Sequence, residues 1–248
     1  MPADISQYLL IAGMFFAAML YSSVGHAGAS AYLALMALFS LPQAVMRPTA
    51  LVLNIVVASL VSARFLWAGV FRWRVLWPFL IGAAPFAFFG GSLQLPGHFY
   101  KPVVGVVLLI AAVRLLFSVG PPVAKEIKDP PVIPAIAGGA AIGFLSGLTG
   151  TGGGIFLSPL ILFLGWAETR VISGVAAVFI LCNSAAGLLG NLATVGSLPE
   201  QLPFYAGAVI AGAALGSTLG VKRLPRGAIL KALGLVLAVA GLKLIFVS

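Results

Sequence analysis

Long runs of apolar residues constrain this chain more than any other feature of its sequence. A helix needs roughly 20 predominantly apolar residues to cross the hydrocarbon layer of a membrane, which is about 30 Å thick. Six runs reach or approach that length, at 48–66, 75–95, 102–118, 172–190, 202–220 and 229–247. We therefore predict an all-α protein that crosses a membrane several times.

The overall composition indicates the same class. Of the 248 residues, 61% are hydrophobic and 8% are charged, whereas soluble domains carry about 25% charged residues. So few polar side chains cannot cover a water-soluble globule, which excludes a soluble enzyme and a disordered protein. The formal net charge of +9 does not indicate a nucleic-acid partner, because the basic residues are scattered between the apolar runs. The single cysteine, Cys182, excludes a disulfide framework.

Two further apolar regions, at 6–40 and 135–165, are too long for a single crossing. Small residues interrupt each region near its middle, at 24–30 and 149–154. The pieces that follow these interruptions hold only 11–12 residues. As helices they would be about 17 Å long, which is half of a bilayer. We predict that each region forms a broken pair of short helices.

The two halves of the chain resemble each other at a constant offset. The matches at an offset of 125 residues include Gly25 with Gly150, Gly28 with Gly153, Ser59 with Ser184 and Gly91-Ser92 with Gly216-Ser217. After a four-residue insertion the offset becomes 129. Matches of this kind over about 75 residues indicate an internal duplication. The predicted organisation is one transmembrane repeat at 1–118, a linker at 119–134 and a second repeat at 135–248.

The basic residues indicate how the halves are oriented. If each interrupted region enters and leaves on one face, or crosses twice, three long helices follow it in each half. Eleven Lys and Arg residues then share one face, and only Arg47, Lys101 and Lys243 face the other. The positive-inside rule places the crowded face and the linker in the cytoplasm, and both termini outside it. An odd number of crossings per half makes the repeats inverted, as in many secondary transporters.

The two interruptions are the first candidates for a substrate site. The start of a helix presents backbone N–H groups without intrahelical partners, together with a partial positive charge. The helices that begin after Gly28 and after Gly154 would bring two such ends together near the middle of the membrane, where they favour an anion. The alternative is that these glycines only permit close helix crossings.

A glycine-rich segment of the second half carries a family resemblance. Residues 144–155, Phe-Leu-Ser-Gly-Leu-Thr-Gly-Thr-Gly-Gly-Gly-Ile, followed by Pro159, resemble the signature of the TauE/SafE sulfite exporter family. Residues 183–190, Asn-Ser-Ala-Ala-Gly-Leu-Leu-Gly, resemble the motif that follows it, and the family's Thr-Ser-Leu appears as Thr49-Ala50-Leu51. The resemblance implies a carrier of the bacterial inner membrane for sulfite, organosulfonates or related sulfur anions. We therefore predict a secondary transporter that exports such an anion by alternating access, and the charge distribution places both its termini in the periplasm.

The interruptions, the repeat and the resemblance together give a set of predicted substrate-binding residues. They are Gly25, His26, Gly28, Ala29, Ser30, Thr49 and Ser59 in the first half, and Gly150, Thr151, Gly152, Gly153, Gly154, Asn183 and Ser184 in the second. Backbone N–H groups at 25–30 and 150–155 would hold a small anion together with the side chains of Asn183 and Ser184. Arg47 and Arg170 are predicted to attract the anion electrostatically, or alternatively to contact lipid headgroups.

Several of these side chains have a structural alternative. His26 could donate to an anion or relay a proton near neutral pH, or it could cap a helix or pack at the interruption. Asn183 and Ser184 could face either the substrate or a neighbouring helix. Asn54, one turn before Ala58 and Ser59, is a weaker candidate.

The positions of the acidic residues also inform the prediction. All five, Asp4, Glu126, Asp129, Glu168 and Glu200, fall in predicted loops or chain ends. A buried carboxylate is a usual means of coupling to H⁺, so the sequence argues against carboxylate coupling. Neither paired carboxylates nor a His/Asp/Glu set with metal spacing occurs, and we expect no enzymatic activity, metal or cofactor. An anion channel, a carrier of another small carboxylate or oxyanion, and a non-transporting scaffold are the alternatives, with a homo-oligomer left open.

Overall fold

The structure, a computed structural model of the chain, describes residues 3–23, 25–117, 127–192, 198–220 and 226–246. Within these ranges the regular secondary structure is helical. The helices are α1 (Ala3–Ser22), α2 (Ala29–Leu38), α3 (Gln43–Trp67), α4 (Trp73–Ser92), α5 (Gly97–Leu116), α6 (Val132–Thr149), α7 (Gly154–Leu164), α8 (Thr169–Gly190), α9 (Leu202–Gly220) and α10 (Arg226–Phe246). The chain is the all-α, multi-pass membrane protein that its apolar runs predict.

Helix lengths follow the pattern of the apolar runs. Each of the six predicted runs coincides with one helix, from α3 to α5 and from α8 to α10. Five helices of the described ranges are long and apolar enough to cross a membrane, namely α1, α3, α4, α6 and α8. In each interrupted region a long helix precedes a short one, since α2 has 10 residues and α7 has 11. At 1.5 Å per residue, these two helices extend through about half of a bilayer.

Glycines with positive φ separate the long helix from the short one in each half. α6 is followed by Gly150, which has a φ of 86°, and α7 begins after Gly153, which has a φ of 81°. α2 likewise begins after Gly28, at a φ of 102°. Residues with a Cβ rarely adopt such angles, so glycine permits the chain to leave one helix and start the next within a few residues. Val24, in the first interruption, lies outside the described residues.

The closest helix pairs join one half of the chain to the other. α1 packs against α9, α6 against α4 and α5 against α10, and α8 packs against both α4 and α3. Exchanging the halves converts the α1–α9 pair into the α6–α4 pair, leaves the α5–α10 and α3–α8 pairs unchanged, and converts the α4–α8 pair into the looser α9–α3 pair. A duplicated chain would give this relationship. The inverted orientation of the repeats and their bounds at 118 and 135 stay predictions.

Small residues bring the helix backbones of two of these pairs into contact. A Cβ atom added at Gly143 of α6 would lie 2.3 Å from the carbonyl oxygen of Ala83 in α4. One added at Gly212 of α9 would lie 2.2 Å from the carbonyl oxygen of Phe15 in α1. Lipid provides little hydrophobic drive for helices to associate, so this close packing holds the bundle together.

Two basic side chains bind backbone carbonyls of neighbouring helices. Lys243 of α10 donates to the carbonyl oxygens of Ala37 and Leu38 at the end of α2, at 2.9 and 2.7 Å. Arg64, near the end of α3, donates to the carbonyl oxygen of Ala214 in α9 at 2.8 Å. Lys243 thereby stabilises the end of α2, because the last carbonyls of a helix carry partial negative charge, whereas Arg64 binds within α9.

The predicted linker is described only in part. Residues 118–126 lie outside the described ranges, and residues 127–131 form an irregular segment before α6. In this segment Asp129 lies 4.0 Å from Arg74, measured between a carboxylate oxygen and a guanidinium nitrogen. Among the residues predicted to share the cytoplasmic face, Lys125, Lys222 and Arg223 also lie outside the described ranges.

Candidate functional site

The side chain of Asn54 connects the two interruptions at the centre of the bundle. Its Oδ1 accepts a hydrogen bond from the backbone N–H of Ala29, the first residue of α2, at 3.2 Å. Its Nδ2 donates to Ser184 Oγ of α8 at 2.8 Å. A Cβ atom added at Gly152 would lie only 2.0 Å from the same Nδ2. One amide therefore touches the first interruption, the second interruption and the middle of α8.

Asn183 forms the neighbouring part of the site. Its Nδ2 donates to Ser146 Oγ of α6 and, at 3.2 Å, to the carbonyl oxygen of Gly152. A carbonyl can only accept, so this contact fixes the orientation of the amide. Asn183 is 1% exposed, and its Oδ1 has no hydrogen-bond partner among the described residues. The amide is thus held firmly by its nitrogen and leaves an acceptor unused.

His26 joins the first interruption to the start of α7. Its Nε2 lies 3.2 Å from the carbonyl oxygen of Gly154 and 3.0 Å from Ser158 Oγ. The ring is half-buried between these groups. Of the two alternatives from the sequence, this geometry favours a histidine that anchors one interruption to the other.

The two short helices differ at their N-termini. Both begin after a glycine, so neither has a side-chain cap of its own. At α2, Asn54 supplies the missing acceptor to Ala29. At α7, the side chain of Asn183 lies close to the residue before the helix instead. A Cβ atom added at Gly153 would lie 3.0 Å from its Nδ2. A donor nitrogen thus lies near the start of α7, where the partial positive charge of the helix favours an anion.

Other predicted glycines of the interruptions lie against neighbouring helices. A Cβ atom at Gly25 would lie 2.6 Å from Ser173 Cβ in α8. One at Gly154 would lie 2.3 Å from Ile180 Cδ1, and one at Gly150 would lie 3.2 Å from Arg47 Cγ. At these positions the lack of a side chain permits close contact between neighbouring segments. The glycines have this packing role whether or not their N–H groups also bind a ligand.

The predicted hydroxyl residues differ in how they are bonded. Ser30 Oγ lies 2.7 Å from Tyr21 Oη, and Thr151 Oγ1 lies 3.0 Å from Thr149 Oγ1. Thr49 is fully buried, and its Oγ1 has no hydrogen-bond partner among the described residues. Ser30 and Thr151 are thus held by local bonds, while Thr49 resembles Asn183 in having an unsatisfied oxygen.

Asn54, Asn183, Ser184 and His26 form a polar cluster with the two interruptions. Three of the predicted residues lie outside this cluster. Ser59 is exposed on α3, and its hydroxyl donates to the carbonyl oxygen of Ile55 in its own helix at 2.8 Å. Arg170 is exposed in the first turn of α8. Arg47 is 6% exposed and donates to the carbonyl oxygens of Gly90, Gly91 and Leu93 at the end of α4. Its guanidinium closes a helix end, so the prediction that it attracts the substrate at a mouth has to be corrected.

Three residues have larger roles in the site than the sequence predicted, since Asn54 was a weaker candidate and Ser146 and Ser158 were not predicted. Asn54 is the centre of the cluster, Ser146 holds the amide of Asn183, and Ser158 contacts His26. Ser146 lies within the glycine-rich signature at residues 144–155. Ser158 lies one helical turn after Gly154, just beyond that signature. A search for polar residues facing the interruptions at helical spacing would have found both serines.

The site contains donors and acceptors but few ionisable groups. Asn54, Asn183 and Ser184 are neutral, and His26 is the one basic side chain that the described residues place against α7 in this cluster. Within the described ranges no three His, Cys, Asp or Glu residues lie close enough together to hold a metal ion. Neutral donors in a buried site can bind an anion by hydrogen bonds, with the partial charge of α7 adding to the attraction.

Two comparisons relate the chain to known proteins. The sequence model of the family described as sulfite exporter TauE/SafE matches residues 10–244. The chain is 40% identical over 240 residues to the Probable membrane transporter protein y4hK of Sinorhizobium fredii (strain NBRC 101917 / NGR234). That alignment covers 96% of this chain and 97% of the relative. No solved structure matches the chain.

Proposed function

Because the chain belongs to the TauE/SafE sulfite exporter family and is a membrane transporter, we propose that it exports a small sulfur-containing oxoanion of the sulfite or organosulfonate class. The anion would lie between the two halves, where the interruptions meet, and alternating access would carry it across. The proposed setting is the bacterial inner membrane, with the linker in the cytoplasm and both termini in the periplasm.

The observation that carries this proposal is the convergence of both interruptions on Asn54. Polar groups are expensive inside a membrane, and those that occur there commonly mark a path for substrate. Here Asn54, Asn183 and Ser184 are all essentially fully buried, and they connect α3 and α8 with both interrupted regions. This arrangement supports a substrate site at the cluster, since transporters with broken helices bind their substrates where the breaks meet.

The chemistry of the cluster supports an anion of modest size. The amide of Asn54 and the hydroxyl of Ser184 carry hydrogen-bond donors. The start of α7 carries a partial positive charge. An oxoanion of sulfur presents several oxygens in different directions, so it can accept from more than one of these groups at once. Backbone N–H groups near Gly152 and Gly153 would allow close approach, because no Cβ stands between the ligand and the chain.

The burial of the cluster indicates what transport would require. In this conformation the cluster is closed by its own hydrogen bonds, including Asn54 to Ser184 and His26 to Gly154. An anion can reach it only if helices of the two halves separate. We propose that these bonds between the halves break and form again as the site opens to one side and then to the other.

Reconstituted vesicles provide the test. The protein would be placed in liposomes loaded with unlabelled sulfite, and uptake of radiolabelled sulfite would be measured as counterflow. We expect Ser184→Ala to lower uptake at least ten-fold and Ser59→Ala to leave it unchanged, because only Ser184 lies in the cluster. Equal loss in both variants would refute the site. Uptake of a small carboxylate but not of sulfite would refute the sulfur-anion class, and a macroscopic current without counterflow would identify a channel.

A further inference from the structure

The two polar atoms of the Asn183 amide differ in their hydrogen bonds, since Nδ2 has two acceptors and Oδ1 has no donor in the part of the chain that the structure describes. The two protons of Nδ2 go to Ser146 Oγ and to the carbonyl oxygen of Gly152. Ser146 in turn donates its own proton to the carbonyl oxygen of Gly143 at 3.1 Å, so it cannot also donate to Asn183. Oδ1 of Asn183 is left as a buried acceptor without a partner among the described residues.

A buried acceptor without a partner is unfavourable, particularly where the membrane supplies no water. The surrounding protein does not satisfy it, although Asn54 beside it has partners at both ends of its amide. Because Asn183 lies at the N-terminus of α7, where the proposed anion would bind, the missing donor can come from the substrate. The substrate would then need a polar hydrogen in addition to its negative charge.

The charges around the cluster limit how negative the substrate can be. Arg47 is held by three carbonyl oxygens of α4, with only its Nε left without a partner among the described residues, and Lys243 is held by two carbonyl oxygens of α2. The penalty for burying an ion rises with the square of its charge, so a dianion needs cationic partners far more than a monoanion does. The described part of the cluster offers neutral donors and His26. It is therefore suited to a single negative charge.

We infer that the transported species is a monoanion that carries a polar hydrogen, which Asn183 Oδ1 accepts. This inference rests on the proposed function and specifies its substrate. For sulfite, the species is hydrogen sulfite, HSO₃⁻, and not the dianion SO₃²⁻. For organosulfonates, it is a sulfonate that also bears a hydroxyl or ammonium group.

The inference also explains how a proton can cross without a buried carboxylate. Each hydrogen sulfite ion carries one proton across, and the proton is released when the ion dissociates to SO₃²⁻ and H⁺ on the more alkaline side. Asp4 lies in the first turn of α1, at its very start, and Asp129, Glu168 and Glu200 lie outside the helices of the described ranges. The proton therefore travels on the substrate itself.

Few protein groups near Asn183 could produce the same pH dependence. The helices packed against α8 are α3, α4, α6 and α7. α6 and α7 carry no ionisable residue, α4 carries Arg74, α3 carries Arg47 and Arg64, and α8 itself carries Arg170 and Cys182. His26 is the neighbour whose residue type has an unperturbed pKa close to neutral pH. His26→Gln is consequently the control that separates titration of the protein from titration of the substrate.

The first test compares two sulfonates that share charge and carbon skeleton. Isethionate bears a hydroxyl group, and ethanesulfonate has a hydrogen in its place. We expect the unmodified transporter in liposomes to take up isethionate about ten-fold faster, because a buried polar group discriminates strongly against a ligand that leaves it unpaired. In Asn183→Ala the ratio should fall to near one. In Ser146→Ala, which leaves Oδ1 in place, the preference for isethionate should persist.

The second test follows sulfite uptake across neutral pH. The initial rate should follow the concentration of HSO₃⁻, and the pH profile should have the same shape in His26→Gln. A rate that follows SO₃²⁻, or equal uptake of the two sulfonates by the unmodified protein, would overturn the inference while leaving sulfur-anion transport intact. If neither sulfite nor any sulfonate is taken up, the proposed function itself fails. The ratio in the unmodified protein decides the question even if Asn183→Ala does not insert.

Discussion

Asn54 of α3 donates a hydrogen bond to Ser184 of α8 at 2.8 Å, although 130 positions separate the two residues in the chain. The same side chain accepts from the first N–H group of α2. A single amide thus links a helix of each half with one of the short helices. If the halves move against each other during transport, this link has to open.

We expect the two ends of this link to act as one unit. Asn54→Ala and Ser184→Ala should each reduce counterflow at least ten-fold, and the double variant should be little worse than either single one. Removing one partner of a buried hydrogen bond destabilises a protein by about 1–3 kcal/mol, and paired residues give non-additive effects. The measurement is a double-mutant cycle on uptake and on melting temperature in detergent. Additive losses in both would show that the two side chains act separately.

The sequence predicted the helices and their interruptions well because these depend on local patterns. Apolar length identifies the crossings, and glycine pairs such as Gly28 and Gly153 mark where short helices begin. The polar cluster was harder to predict because the two halves fill matched positions differently. The residue that corresponds to Asn54 at the 125-residue offset is Phe179, and the one that corresponds to Asn183 is Ala58. For this reason Ser59 and Ser184 match in sequence but differ in surroundings, and only Ser184 is in the site.

Arg47 illustrates a second limit of sequence reasoning. Its acceptors are backbone carbonyls 43–46 residues further along the chain, and every residue type has such a carbonyl. From sequence alone, a basic residue at the end of an apolar run indicates a group that attracts the anionic substrate. Only the packing of α3 against the end of α4 shows that the charge closes a helix. The sequence contains no signal that would distinguish these roles.

Arg47→Gln is expected to affect stability more than substrate attraction. The variant removes charged donors from the carbonyls of Gly90, Gly91 and Leu93, which should lower the unfolding free energy by roughly 3 kcal/mol. For a chain of this size we expect the melting temperature to fall by roughly 5–10 °C. Arg170→Gln is the matched control, since Arg170 is exposed and should leave the melting temperature unchanged. A larger fall in Arg170→Gln would contradict the capping role of Arg47.

Lys243 is expected to keep the end of α2 in place. Lys243→Met removes the donor to the carbonyls of Ala37 and Leu38, so the last turn of α2 should fray and become accessible. A reporter thiol, Leu41→Cys in a Cys182→Ala background, should then react several-fold faster with a water-soluble maleimide. Lys231→Met on the same helix is the control, because Lys231 is exposed. Equal labelling in both variants would show that α2 does not depend on Lys243.

The contact between α4 and α6 is expected to tolerate no side chain at Gly143. Gly143→Val would place its Cβ 2.3 Å from the carbonyl oxygen of Ala83, so the helices must separate and the bundle should fail to fold. Gly207→Val on α9 should behave like the unmodified protein, since a Cβ at Gly207 meets nothing within 4 Å. Size-exclusion chromatography in detergent would measure the monodisperse fraction. Normal elution of Gly143→Val would contradict the close approach of these helices.

His26 is expected to anchor the first interruption to α7 through its Nε2. Because Nε2 lies near both the Gly154 carbonyl and Ser158 Oγ, His26→Ala and Ser158→Ala should each lower counterflow, and together they should lower it little further. His26→Gln keeps an amide group of similar reach and should recover much of the uptake without changing its pH profile. A proton relay would behave differently, since glutamine does not titrate. Loss of uptake in His26→Gln together with a changed pH profile would establish the relay and exclude a purely anchoring role.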